Sequence, residues 1–309
     1  MILKSAENKT LFVKDMLFTK NARAAWEHVL FSFKKLNPMS CVLMPSYIGH
    51  TDREGSGVFD PVKSQNVAAE FYKLNEDLTI DREDFLRLLK TRKFSCVLVI
   101  HYFGFCRNNM FEISALCHEN NALLIEDCAH AFQLYRREPS VGNYCDFSFY
   151  SLHKYLSTKA GGILVNHSKV VTLAPLLDSN KMSYDDLEHF AKSDLEAISE
   201  KRRLNYVTYY NLIKNNSHIT VLYHLLESDI PQSFPIRIKN GDREGLYFFL
   251  MERGAPTTAL YYRMIAEIQS REFPISHEIA SDILNLPVHQ DTEREDIQII
   301  CDLISDFFS

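Results

Sequence analysis

Apolar residues recur along this chain in two alternating rhythms, one helical and one strand-like. ARAAWEHVLFSFKKL sets Ala22, Ala25, Trp26, Val29, Phe33 and Leu36 at helical spacing, which predicts a helix with one core face. Thr19 and Asn21 precede it as capping residues would. CVLM then predicts a short strand closing at Pro45-Ser46-Tyr47. The polar stretch from Gly49 to Asn66 reads as a loop or lid, and FYKL as a strand. Asp81 caps a predicted helix carrying Phe85, Leu88 and Leu89, with Asp84 at capping-box spacing. VLVI is a fully apolar run ending in His101-Tyr102-Phe103-Gly104, followed by a helix from about Met110 to Glu119. ALLI ends at Glu126-Asp127.

Strands alternating with helices at this spacing predict an α/β fold, a mostly parallel sheet flanked by helices. In such sheets ligands bind outside the carboxyl ends of the strands. Pro45-Ser46, His101-Tyr102 and Glu126-Asp127 all stand at those ends and are expected round one site. After Val165 the rhythm changes. A helical region runs from about Tyr184 to Ile213, and a strand follows near Pro235–Ile238. A helix with Leu246, Phe249 and Leu250 stops at Gly254 and Pro256. Asn285-Leu286-Pro287-Val288 leads into a last helix whose start, Thr292 to Glu295, has capping-box spacing. The pattern divides the chain into a large domain, residues 1–170, and a smaller α+β domain, residues 171–309.

Composition narrows the function class. A net charge of −6 with no long run of Lys or Arg argues against a nucleic-acid surface. Seven cysteines without a CxxC pair fit buried thiols in a reducing compartment, not a disulfide framework or a zinc site. No signal-peptide core and no apolar span of membrane length appears, so the expectation is a cytoplasmic protein without a membrane partner. Neither GxGxxG, GxxxxGK[ST] nor GxSxG occurs, and the histidines and cysteines lack metal-ligand spacing, so no metal is expected.

The chemistry concentrates between Ile125 and Gly162. Lys154 lies in FSFYSLHKY, an apolar and aromatic setting that partly desolvates its amine. Desolvation favours the neutral amine, the form that joins a carbonyl as a Schiff base. Ser148 and Ser151 are hydroxyls able to hold a phosphate beside it, Ser151 being the better spaced. Asp127, at a strand end, reads either as a helix cap or as a carboxylate beneath a pyridine nitrogen, where it keeps pyridoxal phosphate an electron sink. His130 reads either as a helix-face histidine or as a contact to that cofactor's phenolic oxygen or phosphate. His289 and the Tyr261-Tyr262-Arg263 cluster read as a small-domain surface facing the cleft.

These residues together resemble the DegT/DnrJ/EryC1/StrS family of pyridoxal-phosphate sugar aminotransferases, of fold type I. IEDCAHAF is similar to the family's E-D-x-A-[QH] signature, and SFYSLHKYLSTKAGGILV to its lysine segment, double glycine and strand. VLVIHYFGF resembles the strand ending in H-x-x-G. The resemblance implies that Lys154 holds pyridoxal 5'-phosphate as a Schiff base and moves the proton. It implies further that Asp127 pairs with the ring nitrogen, with His130 where many members have glutamine. Ser148 or Ser151 would bind the phosphate with the amides after Asn21, Asn21-Ala22-Arg23 standing where members carry a small S-G-T-like turn. Tyr47 or His50 would stack on the ring, and Asn180, in Asn180-Lys181-Met182, would reach the phosphate in a partner subunit. A homodimer with shared sites is implied, acting on a keto sugar, nucleotide-linked, with glutamate or glutamine as donor. Two rivals stay open: a sugar dehydratase or lyase, in which His153 takes the lysine's place, and a non-catalytic homologue with a binding or regulatory role.

Overall fold

Seven short strands between Met16 and Asn166 build one sheet, and three between Ile219 and Pro287 build another. The structure is a computed structural model describing residues 16–36, 40–53, 55–132, 141–169, 171–239 and 241–309. The first sheet's elements run β1 (Met16–Thr19), α1 (Ala22–Leu36), β2 (Cys41–Pro45), α2 (Phe59–Ser64), β3 (Ala68–Tyr72), α3 (Arg82–Thr91) and β4 (Cys96–Ile100). They continue through α4 (Met110–Glu119), β5 (Leu123–Asp127), β6 (Phe147–Ser151) and β7 (Gly162–Asn166). The strand order is β1-β7-β6-β5-β4-β2-β3. The block from β3 to β6 is parallel, and β7 runs antiparallel to both β6 and β1.

The remaining elements are α5 (Tyr184–Lys192), α6 (Leu195–Ile213), β8 (Ile219–Val221), β9 (Ser233–Ile238), α7 (Arg243–Glu252), α8 (Pro274–Asp282), β10 (Ile283–Pro287) and α9 (Arg294–Phe307). Here β9 lies between β10 and β8, antiparallel to both. The α/β architecture expected from the alternation, a mostly parallel sheet plus a smaller α+β part, is therefore present.

Every residue of β4 is buried, as its uninterrupted apolar run requires of a central parallel strand. α1 covers β6 through two ring pairs: Trp26 stacks on Phe149 at 5.9 Å and Phe33 meets Phe147 edge-on at 5.7 Å. The apolar face read from the α1 spacing is the buried one at Ala25, Trp26, Val29 and Phe33. Its start is fixed by Asn21, whose side chain accepts from the Ala24 amide at 2.8 Å.

Local departures have local causes. The stretch from Gly49 to Asn66 contains α2, whose Phe59 and Val62 are buried. The strand read as FYKL sits earlier, at Ala68–Tyr72, because β3 takes its register from β2. The helical run from Tyr184 to Ile213 breaks at Ser193-Asp194, where extended Ser193 ends α5 and Asp194 caps α6 through the Ala197 amide. α9 is capped one residue later than expected, by Glu293 with Asp296 completing the box. β1, β8 and α8 carry too little apolar periodicity to be read in advance. All seven cysteines are free, five of them buried. No described helix is long and apolar enough to cross a membrane.

Candidate active site

The two faces of β5 and β6 sort the candidate residues. Their register pairs Glu126 with Ser148 and Asp127 with Phe149. Successive side chains on a strand point to opposite faces, so Asp127, Phe149 and Ser151 face one side while Glu126 and Ser148 face the other. The first side opens onto a cavity of about 1060 Å³ at the carboxyl ends of β4, β5 and β6. Asp127, His130, Ser151 and Lys154 line it, as do Asn21, Ala22 and Arg23 at the start of α1. Its far wall comes from the chain around the second sheet, including Arg243, Tyr261 and Arg263.

Asp127 is 4% exposed, and its Oδ1 accepts the Ala129 amide at 2.8 Å. Burial pushes its carboxyl above the usual range, while that amide, the Lys154 amine and His101 pull it back. His130 is also buried, and its Nδ1 accepts the Phe103 amide at 3.3 Å. Burial first and the Lys154 charge second push the imidazole well below its ordinary value. With Nδ1 accepting, the neutral ring carries its proton on Nε2 and is a hydrogen-bond donor there. Lys154 ends the short 3-10 turn Leu152–Lys154 that follows β6. Its charge is felt at both Asp127 and His130, which brings the three groups together electrostatically.

At one end of the cavity, the first turn of α1 meets the start of β7 almost without clearance. A Cβ on Gly162 would come within 2.4 Å of the Asn21 carbonyl carbon and 2.6 Å of the Ala22 nitrogen. Only a glycine lets the second residue of the double glycine support that turn. Arg23 lies at the cavity and approaches Asp60 at 3.8 Å. A helix N-terminus, a hydroxyl at Ser151, an amine and a buried carboxylate form a donor set that suits a phosphorylated pyridine aldehyde.

Three expected residues stand elsewhere. Ser148 is fully buried on the opposite face, its Oγ 3.4 Å from His167 Nε2, because strand alternation turns it away from the cavity. Tyr47 is buried below the cavity wall with its hydroxyl donating to the Leu260 carbonyl at 3.0 Å. Asn180 lies outside the cavity of its own chain, where its carbonyl accepts the Lys20 amide at 2.7 Å. The strand-end residues Ser46 and His101 also point away. Ser46 pairs with Ser276 at 2.9 Å, and His101 Nε2 meets Glu126 Oε2 at 2.6 Å, both completely buried. Burial pulls the His101 imidazole down, but Cys106 and Glu126 outweigh it and hold the ring above its ordinary value. Cys128 brings a third donor atom within 4.8 Å of this pair. Glu126 Oε2 is already engaged by the Gly142 amide at 2.8 Å.

Tyr261, expected on a surface facing the cleft, lines the cavity, and its ring lies beside the His130 ring, 6.2 Å between centroids and 14° between planes. It edges onto Tyr47 at 5.2 Å. Neither periodicity nor motif marks it.

Residues 61–192 and 187–305 match the model of the DegT/DnrJ/EryC1/StrS aminotransferase family. The dTDP-3-amino-3,6-dideoxy-alpha-D-galactopyranose transaminase of Aneurinibacillus thermoaerophilus is 23% identical over 243 residues, 70% of this chain and 66% of that protein. GDP-perosamine synthase of Escherichia coli O157:H7 is 25% identical over 252 residues, 71% of this chain and 67% of its own. The chain thus spans about two thirds of the length of these relatives. Among solved structures, Helicobacter pylori PseC, an aminotransferase of pseudoaminic acid biosynthesis, superposes with a TM-score of 0.77 at 17% identity, covering 96% of this chain and 87% of PseC. Bacillus subtilis NtdA with bound cofactor PMP gives 0.74 at 18% identity, covering 95% and 73%. At such identities the superpositions carry the fold alone. The family match spans most of the sequence, and this chain belongs to the DegT/DnrJ/EryC1/StrS aminotransferase family.

Proposed function

We propose that this protein is a pyridoxal-phosphate-dependent aminotransferase acting on a keto sugar, nucleotide-linked as in the named relatives, with glutamate or glutamine as amino donor. The observation that carries the reading is the convergence of Asp127, His130 and Lys154 on one cavity. When bound, pyridoxal phosphate supplies an electron sink that lets an amino group pass between two substrates. The chain's own residues do the rest. Asp127, at the sheet end, would accept a hydrogen bond from the protonated ring nitrogen, and its burial would strengthen that charge-assisted contact. His130 would present Nε2–H to an oxygen of the ring. The first-turn amides of α1 and the Ser151 hydroxyl receive the phosphate. Lys154 would hold the cofactor's aldehyde through its amine and would be the residue placed to carry a proton at its Nζ.

His153 and Lys154 both line the cavity, and the apolar and aromatic setting of FSFYSLHKY suits a neutral amine, which favours the lysine as the reacting group over a histidine-based dehydratase. A homodimer in which Asn180 serves the neighbouring site belongs to the same proposal. The test is the visible absorbance band of lysine-bound pyridoxal phosphate, followed by glutamate-dependent conversion of a nucleotide-linked keto sugar. Wild type is expected to show the band and to yield 2-oxoglutarate, and Lys154→Ala to lose both. Ammonia release without 2-oxoglutarate would instead select the dehydratase, and cofactor uptake without turnover the binding homologue.

A further inference from the structure

On the strand-end segment that follows β2, Tyr47 is buried beneath the cavity and position 49 is glycine, so His50 is the one aromatic side chain this segment brings to the cavity. The space above Gly49 is nevertheless filled. A Cβ built there would lie 2.1 Å from Tyr261 Cδ1 and 3.0 Å from the Tyr261 Cα. Tyr261 therefore occupies the place that a side chain at 49 would otherwise take. Its backbone is in the left-handed region, φ +62°, uncommon for a residue with a bulky side chain. Such conformations persist only where the surroundings enforce them, and they gather at functional sites. The enforcement here is a short antiparallel strap. The His50 amide donates to the Arg263 carbonyl at 2.9 Å, the Ile265 amide to the Ile48 carbonyl at 3.1 Å, and Gly49 bridges Met264.

We propose that Tyr261, carried in from the segment after α7, is the aromatic face against which the bound pyridine ring packs, in place of any residue of the strand-end segment. The inference rests on reading the cavity as a pyridoxal-phosphate site. Its ring is nearly parallel to His130, which would touch the same ligand, and it senses the charge of Asp127. His50 also lines the cavity and is the direct rival. The two differ in what they touch: Tyr261 packs among His130, Tyr47 and Tyr102, so its plane is fixed before a ligand arrives.

Pyridoxamine phosphate tests this directly, since it binds in the same pose without joining Lys154. Its dissociation constant is measured by calorimetry for wild type, Tyr261→Phe, Tyr261→Ala, Gly49→Ala and His50→Ala, with circular dichroism on each. A stacking role is worth about tenfold to a hundredfold in affinity. Tyr261→Phe is expected within about threefold of wild type, because the ring face is kept. Tyr261→Ala and Gly49→Ala are both expected to weaken binding about tenfold or more. Gly49→Ala displaces Tyr261 without altering it, so the two variants fail or succeed independently of one folding defect. Equal affinity for wild type and Tyr261→Ala overturns the inference while leaving the aminotransferase reading intact, as does a Phe variant as weak as Ala. Loss in His50→Ala alone assigns the face to His50. A wild type that binds neither pyridoxamine phosphate nor pyridoxal phosphate overturns both readings.

Discussion

Arg202 Nη2 donates to the backbone carbonyl of Lys154 at 3.0 Å, from a side chain that is 1% exposed. The same guanidinium bonds Gln290 Oε1 at 3.1 Å and the Gln232 carbonyl at 3.3 Å, and it lies 4.5 Å above the Tyr155 ring. Tyr155 in turn presses its hydroxyl against the His130 carbonyl. One buried cation thus ties the lysine turn to the histidine turn. Arg202→Met removes the donor and leaves carbonyls buried without partners. The expected loss is about 2–4 kcal/mol in urea unfolding. Arg202→Lys, keeping one charged donor but not the fork, is expected to fall between the two.

His130 predicts a pH dependence whose sign follows from its depressed pKa. The folded chain holds the ring neutral, while the unfolded chain takes up a proton below about pH 6.5. Below that value the unfolded state binds more protons, so stability falls as pH falls and levels off only below the folded pKa. Within that window the slope is about 1.4 kcal/mol per pH unit. Unfolding free energies measured between pH 7 and 5 are expected to decline more steeply for wild type than for His130→Gln. Parallel curves would mean that His130 titrates normally.

Gly162 predicts a packing defect with a functional consequence. Its hydrogen faces the Asn21 and Ala22 backbone at distances no methyl group tolerates, and neither partner is a movable side-chain tip. Gly162→Ala must therefore shift the α1 start away from β7. The expected loss is about 1–3 kcal/mol by denaturant unfolding. Because the amides of that turn are the proposed phosphate cradle, free inorganic phosphate should also protect the variant less than wild type in thermal melts.

How far the sequence carried depended on which physical signal each residue left. Apolar runs such as CVLM, VLVI and ALLI encode buried parallel strands directly, so the presence of β2, β4 and β5 was legible. The acid at the end of β5 was legible for the same reason. Ser148 was misjudged because nearness to Lys154 in sequence says nothing of strand face, and the pairing with Glu126 decides that. Tyr47 looked available because it follows a strand end, yet Leu260 and Tyr261 arrive from some two hundred residues away to cover it. Tyr261 was legible only as part of a cluster facing the cleft; its place beside His130 was not, since long-range contact and a left-handed backbone leave no periodic trace.

Asp127 offers the clearest separation of stability from function. Burial raises its pKa, so in the folded chain without cofactor the ionised carboxylate is disfavoured relative to the unfolded chain. A carboxyl with a raised folded pKa weakens the fold as pH rises above the unfolded value near 4, and neutral pH lies above it. Asp127→Asn keeps an oxygen for the Ala129 amide but removes the buried charge. The expected outcome in the cofactor-free protein is unchanged or higher stability, by up to about 1–2 kcal/mol, at neutral pH. The same variant removes the only anionic partner proposed for the ring nitrogen, so transamination should drop at least about a hundredfold. A variant both less stable and still active would place the carboxylate among structural caps, not at the reacting centre.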